Sequence, residues 1–163
     1  MKIKNILITG GAGFIGSNLL SKLDTANLNI KSTYLNKKPD LSLKNVDFIK
    51  TDLTKRESCK NIFENIDCVV MAAAVSSGAK IMKSNPLIHL NDNILMNTIA
   101  LEESHKNKVK KFIFISSNTV YPSTKKSVTE DDANFNFFSF VQSEILVKDM
   151  TVKIEGTLIG KLF

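Results

Sequence analysis

The stretch TGGAGFIG, Thr9 to Gly16, sets Gly10, Gly13 and Gly16 three residues apart, with Phe14 and Ile15 between the last two. Glycine at this spacing serves a particular chemistry. A tight turn needs backbone angles that glycine adopts at no steric cost, and a phosphate can approach the chain closely where no Cβ intervenes. If a helix starts at the last glycines, its free N–H groups and the positive end of its dipole hold negative charge. The pattern reads as a cradle for a dinucleotide pyrophosphate, provided that a strand precedes it and a helix follows. About twenty residues on, a carboxylate would bind a ribose 2′-hydroxyl and repel a 2′-phosphate. The chain there reads YLNKKPD: Asn36, Lys37 and Lys38 occupy the position, and Asp40 lies beyond Pro39. Two lysines suit a 2′-phosphate as point charges, which favours NADP over NAD.

The elements that must position these residues are readable in the same way. KNILIT (4–9) reads as a strand, and GFIGSNLLSKL follows as a helix with Ile15, Leu19 and Leu23 on one face. IKSTYL (30–35), VDFIKTD (46–52), DCVVMAAA (67–74) and KFIFISS (111–117) read as further strands, and GTLIGKLF (156–163) as a sixth. Thr54 and Glu57 have the spacing of a capping box opening the helix KRESCKNIFENI. Pro86 stands near the start of a long helix reaching about Ser104, with Leu87, Leu90, Ile94 and Leu101 on one stripe. A further helix is expected over 138–150. Several strands are continuously apolar, the mark of a parallel sheet covered on both faces. The alternation of strand and helix predicts an α/β fold, a doubly wound parallel-sheet Rossmann fold, with residues 1–163 forming one domain.

The bulk properties agree with that class. The chain has 163 residues, 43% of them hydrophobic and 23% charged, enough for one domain with a core. The net charge of +6 is spread along the chain, which reads first as a solvated basic surface, then as a preference for a small anionic ligand, with nucleic acid a distant third. No run of about 18 apolar residues is present, so no membrane span is expected. The N-terminus lacks the apolar segment and cleavage site of a signal peptide. Cys59 and Cys68 have neither metal-type nor redox-type spacing and read as reduced cysteines of a cytoplasmic protein.

Behind TGGAGFIG, the stretches TDL (51–53), MAAA (71–74) and FISSNTVYP (114–122) follow in order. This ordered set resembles the NAD(P)-dependent epimerase/dehydratase family, the extended short-chain dehydrogenases. The tract AAAVSSG…NPLIHLNDN…VKKFIFISSNTVYP is similar to the pattern of its GDP-fucose synthase subgroup. The resemblance covers residues 1 to about 130. It implies hydride transfer between a nicotinamide and a nucleotide-sugar substrate. It implies that Asp52 and Leu53 flank the adenine, and that Ala72, Ala73 and Ala74 run beneath the cofactor. Asn93 would brace the adjoining strand, with an exposed helix asparagine as the alternative. Ser117 would be the catalytic serine, hydrogen-bonded to the reacting sugar oxygen.

The pattern then breaks. The family uses a tyrosine as proton donor or acceptor and a lysine one helical turn later, which lowers the tyrosine pKa. In NFFSFVQSEILVK (136–148) those positions hold either Phe140 and Glu144 or Asn136 and Phe140, depending on register. The chain's two tyrosines are Tyr34, in the second strand, and Tyr121, in TVYP. Loss of a positioned acid/base costs about 10²–10⁴-fold in rate. Thr119 stands where the GDP-fucose synthase pattern has an acid/base cysteine. With the chain ending at Phe163, at the expected sixth strand, the family's C-terminal substrate domain is also expected to be missing. Three readings stay open: an enzyme of the family with impaired catalysis, a non-catalytic dinucleotide-binding regulatory or heteromeric subunit, and a truncated gene product. Apolar surface left uncovered beyond a sixth strand would favour homo- or hetero-oligomers.

Overall fold

The computed structural model of the chain describes residues 3–23, 27–43, 45–76, 81, 84, 87–115, 126, 127 and 129. The helix expected over 138–150 and the strand expected over 156–163 lie outside the described residues, as do Ser117, Thr119, Tyr121, Asn136, Phe140 and Glu144. Strands β1 (Asn5–Thr9), β2 (Asn29–Tyr34), β3 (Val46–Lys50), β4 (Cys68–Met71) and β5 (Lys111–Phe114) form one sheet in the order β3-β2-β1-β4-β5. Every neighbouring pair is parallel. Among the described residues, the helices α1 (Phe14–Lys22), α2 (Arg56–Cys59) and α3 (Leu90–Lys106) join them.

The apolar runs are continuous because both faces of the sheet are covered. Successive strand residues alternate between two layers. Leu7, Val69, Met71 and Phe112 pack with Cys59, Phe63, Met96, Ile99 and Ala100 on the side of α2 and α3. Ile8, Ile30, Cys68 and Val70 pack with Leu20 on the side of α1. All four residues of β4 are buried. Each such side chain contributes about 1.5–3 kcal/mol on leaving water, so the centre of the sheet is the most firmly held part of the described fold.

Several expectations need correction. The helix expected from Lys55 to Ile66 ends at Cys59, because Asn61 (φ 72°) and Asn65 (φ 59°) take the left-handed conformation and turn the chain. Ile62, Phe63 and Ile66 still reach the core, but from turns. The capping box does not form: Lys55 is the N-cap, and the Thr54 hydroxyl donates to Asp52 Oδ1 at 2.7 Å. The long helix begins at Leu90 rather than near Pro86, and its buried face is Met96, Asn97, Ile99, Ala100, Leu101, Glu103 and Ser104. Leu87 is exposed and Leu90 and Ile94 are half-buried, so of the expected stripe only Leu101 enters the core. In α1 the buried positions are Gly16 and Leu20, whereas Ile15 is exposed at the helix mouth. The ladder of β4 stops at Met71, short of the expected Ala74, because the next two amides bond a side chain instead of a neighbouring strand.

Candidate cofactor site

The C-terminal ends of β1, β2, β3 and β4 meet along one edge of the sheet, and the glycine turn lies where β1 hands over to α1. The strand order reverses at β1: β2 lies on one side and β4 on the other. Open parallel sheets bind ligands at such a switch point.

The turn is built from both neighbours. Gly10 has φ +70°, and a Cβ there would lie 2.8 Å from Ala73 Cα. Only glycine fits, because the turn needs the left-handed conformation and the backbone after β4 presses against it. A Cβ on Gly16 would lie 2.4 Å from the Gly10 carbonyl oxygen and 2.8 Å from Gly11 Cα, so α1 rests directly on the turn. Gly13 is the N-cap of α1 and brings no side-chain acceptor. Its N–H donates to the Gly10 carbonyl at 2.9 Å. The Gly10 N–H donates to Thr33 Oγ1 at 3.2 Å, and the Gly11 N–H to the Thr33 carbonyl at 2.8 Å. Three amides of the turn are thus engaged within the protein. The first N–H groups of α1, those of Phe14 and Ile15, have no acceptor within the helix. Those amides carry the partial positive charge of the helix end. Beside them the Phe14 ring is 84% exposed.

On the other side, the Thr9 hydroxyl accepts the N–H groups of Ala72 and Ala73, each at 3.1 Å. This ties the ends of β1 and β4 together and holds the small residues Ala72 and Ala73 beside the turn; Ala74 is exposed just beyond. Asn93 on α3 closes two bonds onto the segment after β4. Its Oδ1 accepts from Val75 N–H at 2.9 Å and its Nδ2 donates to Val75 O at 3.0 Å.

Asn36, Lys37 and Lys38 are all exposed just past β2. The Asp40 carboxylate accepts the Ser42 N–H at 2.9 Å, which closes a local turn. Beyond β3, Asp52 accepts the hydroxyl and N–H of Thr54 and pairs with Lys55 Nζ at 3.3 Å. The Thr54 hydroxyl is the main reason its carboxyl lies below the usual range. Leu53 is 5% exposed, its side chain sealed in the core with α3. The structure therefore gathers Gly10, Gly13, Phe14, Ile15, Gly16, Ala72 and Ala73 around one turn. Asn36, Lys37 and Lys38 stand on the β2 side, Asp52 past β3, and Asn93 behind Val75.

Two residues in the site went unnamed in the sequence reading, Thr9 and Thr33. Both are buried hydroxyls; Thr9 closes the otherwise apolar run ILI, and that mismatch was the available signal, whereas β2 reads NIKSTY and its polar residues hid Thr33. Their partners, however, come from other strands, which spacing along the chain does not reveal.

A parallel sheet with this order, and a glycine turn at its reversal point, define a dinucleotide-binding Rossmann domain. The chain belongs to the NAD dependent epimerase/dehydratase family, which it matches over residues 6–139. It is 30% identical to UDP-glucose 4-epimerase of Drosophila melanogaster over 149 residues, covering 80% of this chain and 42% of the relative. It is 37% identical to dTDP-D-glucose 4,6-dehydratase of Dictyostelium discoideum over 145 residues, covering 81% of this chain and 33% of the relative. Among solved structures, UDP-glucose 4-epimerase from Bifidobacterium longum in complex with NAD+ and UDP superposes with a TM-score of 0.77 at 26% identity. That superposition covers 92% of this chain and 50% of the other. The chain thus spans half or less of the length of these proteins. Among the described residues, no helix is long and apolar enough to cross a membrane, and no group of His, Cys, Asp and Glu is arranged to hold a metal ion.

Proposed function

We propose that this chain is the cofactor-binding part of a nucleotide-sugar epimerase or dehydratase, in which a bound nicotinamide dinucleotide supplies hydride exchange with a sugar carbon. The observation that carries this reading is the glycine turn, pinned by Thr33 and Thr9, with the amides of Phe14 and Ile15 left at the head of α1 for phosphates. A cradle so thin that a Cβ would collide at Gly10 and Gly16 fits a pyrophosphate lying against bare backbone. The relatives named above act on UDP- and dTDP-linked sugars. The similarity of AAAVSSG…FISSNTVYP to the GDP-fucose synthase pattern supports testing a GDP-linked 4-keto sugar beside them.

Asn36, Lys37 and Lys38 are exposed beyond β2, and no carboxylate stands directly at the end of that strand to favour NAD. NADPH is therefore expected to bind more tightly than NADH. Ser117 is the group proposed to polarise the sugar carbonyl. With Phe140 or Asn136 in place of the tyrosine, this chain alone transfers protons poorly, and a role as a non-catalytic or heteromeric subunit is the second reading. The test is a cofactor-fluorescence titration of the purified chain, followed by turnover assays with 4-keto UDP-, dTDP- and GDP-sugars. Tight NADPH binding without turnover is expected. Preference for NADH would overturn the NADP assignment, turnover would overturn the impairment, and absence of any dinucleotide binding would overturn the reading as a whole.

A further inference from the structure

We infer that Thr33 is a positioning residue for dinucleotide binding, acting through the glycine turn; the inference rests on the cofactor-site reading above. The β1–β2 ladder pairs Ile8 with Ser32, so Thr33 stands level with Thr9, where β1 ends. Past that point the pairing does not simply stop. The N–H groups of Gly10 and Gly11 both turn back onto Thr33, one to its hydroxyl at 3.2 Å and one to its carbonyl at 2.8 Å. Thr33 is 1% exposed, so water does not compete for the hydroxyl.

Two consequences follow for the ligand. The direction of the Gly10 peptide is set before anything binds, so its ordering is not charged against binding. With the Gly10 and Gly11 amides engaged, phosphates are directed to the amides of Phe14 and Ile15 at the head of α1. Valine has nearly the shape of threonine but offers no acceptor. In Thr33→Val the carbonyl bond to Gly11 survives while the Gly10 N–H is left partly buried and unpaired, a state that favours a flipped peptide. Serine keeps the acceptor. The neighbouring Ser32 supplies an internal control: its hydroxyl is equally buried and also packs against the turn, at Gly11, but it donates to the Ile8 carbonyl at 3.0 Å and accepts no turn amide.

The experiment titrates wild type, Thr33→Val, Thr33→Ser and Ser32→Ala with NADPH and with ADP-ribose, which keeps the pyrophosphate but lacks the nicotinamide. Circular dichroism first establishes that each variant is folded at the titration temperature. Thr33→Val is expected to bind both ligands about tenfold more weakly, Thr33→Ser to return to wild-type affinity, and Ser32→Ala to lose thermal stability without losing affinity. A folded Thr33→Val with wild-type affinity overturns the inference alone, as does equal loss in Thr33→Val and Ser32→Ala. A wild-type chain that binds neither ligand overturns the dinucleotide reading and this inference with it. If Thr33→Val does not fold, amide hydrogen exchange of the wild-type chain decides. The Gly10 and Gly11 amides should be protected before ligand is added, and those of Phe14 and Ile15 should become protected when NADPH is added. Fast exchange at Gly10 in the free protein would overturn the inference.

Discussion

Gly16 is the residue on which the site is most sensitive. The atoms a Cβ would strike there, the Gly10 carbonyl oxygen and Gly11 Cα, belong to backbone and cannot rotate aside. In Gly16→Ala, α1 must lift off the turn, and overpacking of this kind costs about 1–3 kcal/mol. Thermal melts should therefore drop by several degrees, and NADPH titration should show affinity reduced in the fraction that remains folded. A Gly16→Ala chain with unchanged melting and binding would mean that α1 does not sit on the turn. At this scale the sequence was informative where chemistry depends on a missing side chain, because glycine spacing is visible in one dimension. It was uninformative for Thr9 and Thr33, whose roles exist only after β4 and β2 come alongside β1. The resemblance placed Leu53 beside the adenine; the structure adds that its side chain is buried in the core.

Between β3 and β4 the chain shows how an element can carry the right residues in a different backbone. Ile62, Phe63 and Ile66 have the spacing of a helix face, and they do face the core. Asn61 nonetheless takes φ 72°, which no helix tolerates. Asparagine visits this conformation more readily than alanine, and glycine does so freely. Asn61→Ala is therefore expected to cost about 1 kcal/mol or more, and Asn61→Gly to be neutral or mildly stabilising. Equal denaturant midpoints for the two variants would argue against the left-handed turn. The strands were legible because a doubly covered parallel sheet demands apolar runs; only their ends slipped, at Ala72 to Ala74, where composition stays apolar but the bonds change partner. The buried stripe of α3 was missed because it includes Asn97, Glu103 and Ser104, which composition alone would place in water. Glu103 is tolerated there through its ion pair with Lys106 at 2.8 Å.

Across the whole described molecule, the two ends of the sheet are held by different means. The ligand end relies on threonine hydroxyls, the opposite end on one carboxylate. Asp67 accepts Lys110 Nζ at 2.6 Å, the Asn5 N–H at 2.9 Å and the Lys4 N–H at 3.0 Å, joining the starts of β1, β4 and β5. The Lys110 ammonium above all, then the amides of Asn5 and Lys4, hold its carboxyl well below the usual range. A carboxyl depressed in the native state contributes stability above its unfolded pKa of about 3.9 and loses it as the pH falls through the folded value. Asp67→Asn should thus be less stable than wild type by a constant margin between about pH 5 and 8, a margin that narrows as the pH drops below about 4. Urea melts across that range would refute the assignment if the margin did not change. Family membership and sheet class were both within reach of the sequence, because they rest on ordered local motifs. The Asp67 junction was not, since its partners lie 43 to 63 positions from it along the chain and meet only in the assembled sheet.

The two free cysteines sit on opposite sides of that sheet, Cys59 in the layer with α3 and Cys68 in the layer with α1. Burial, and next the Glu103 charge, push the Cys59 thiol up to about 11, and burial likewise raises Cys68. Neither sulfur is a nucleophile while its layer stays shut. Each layer therefore carries its own built-in sentinel: an alkylating reagent reaches one only when the helices part on that side, and the two capture times clock the breathing of the two halves separately.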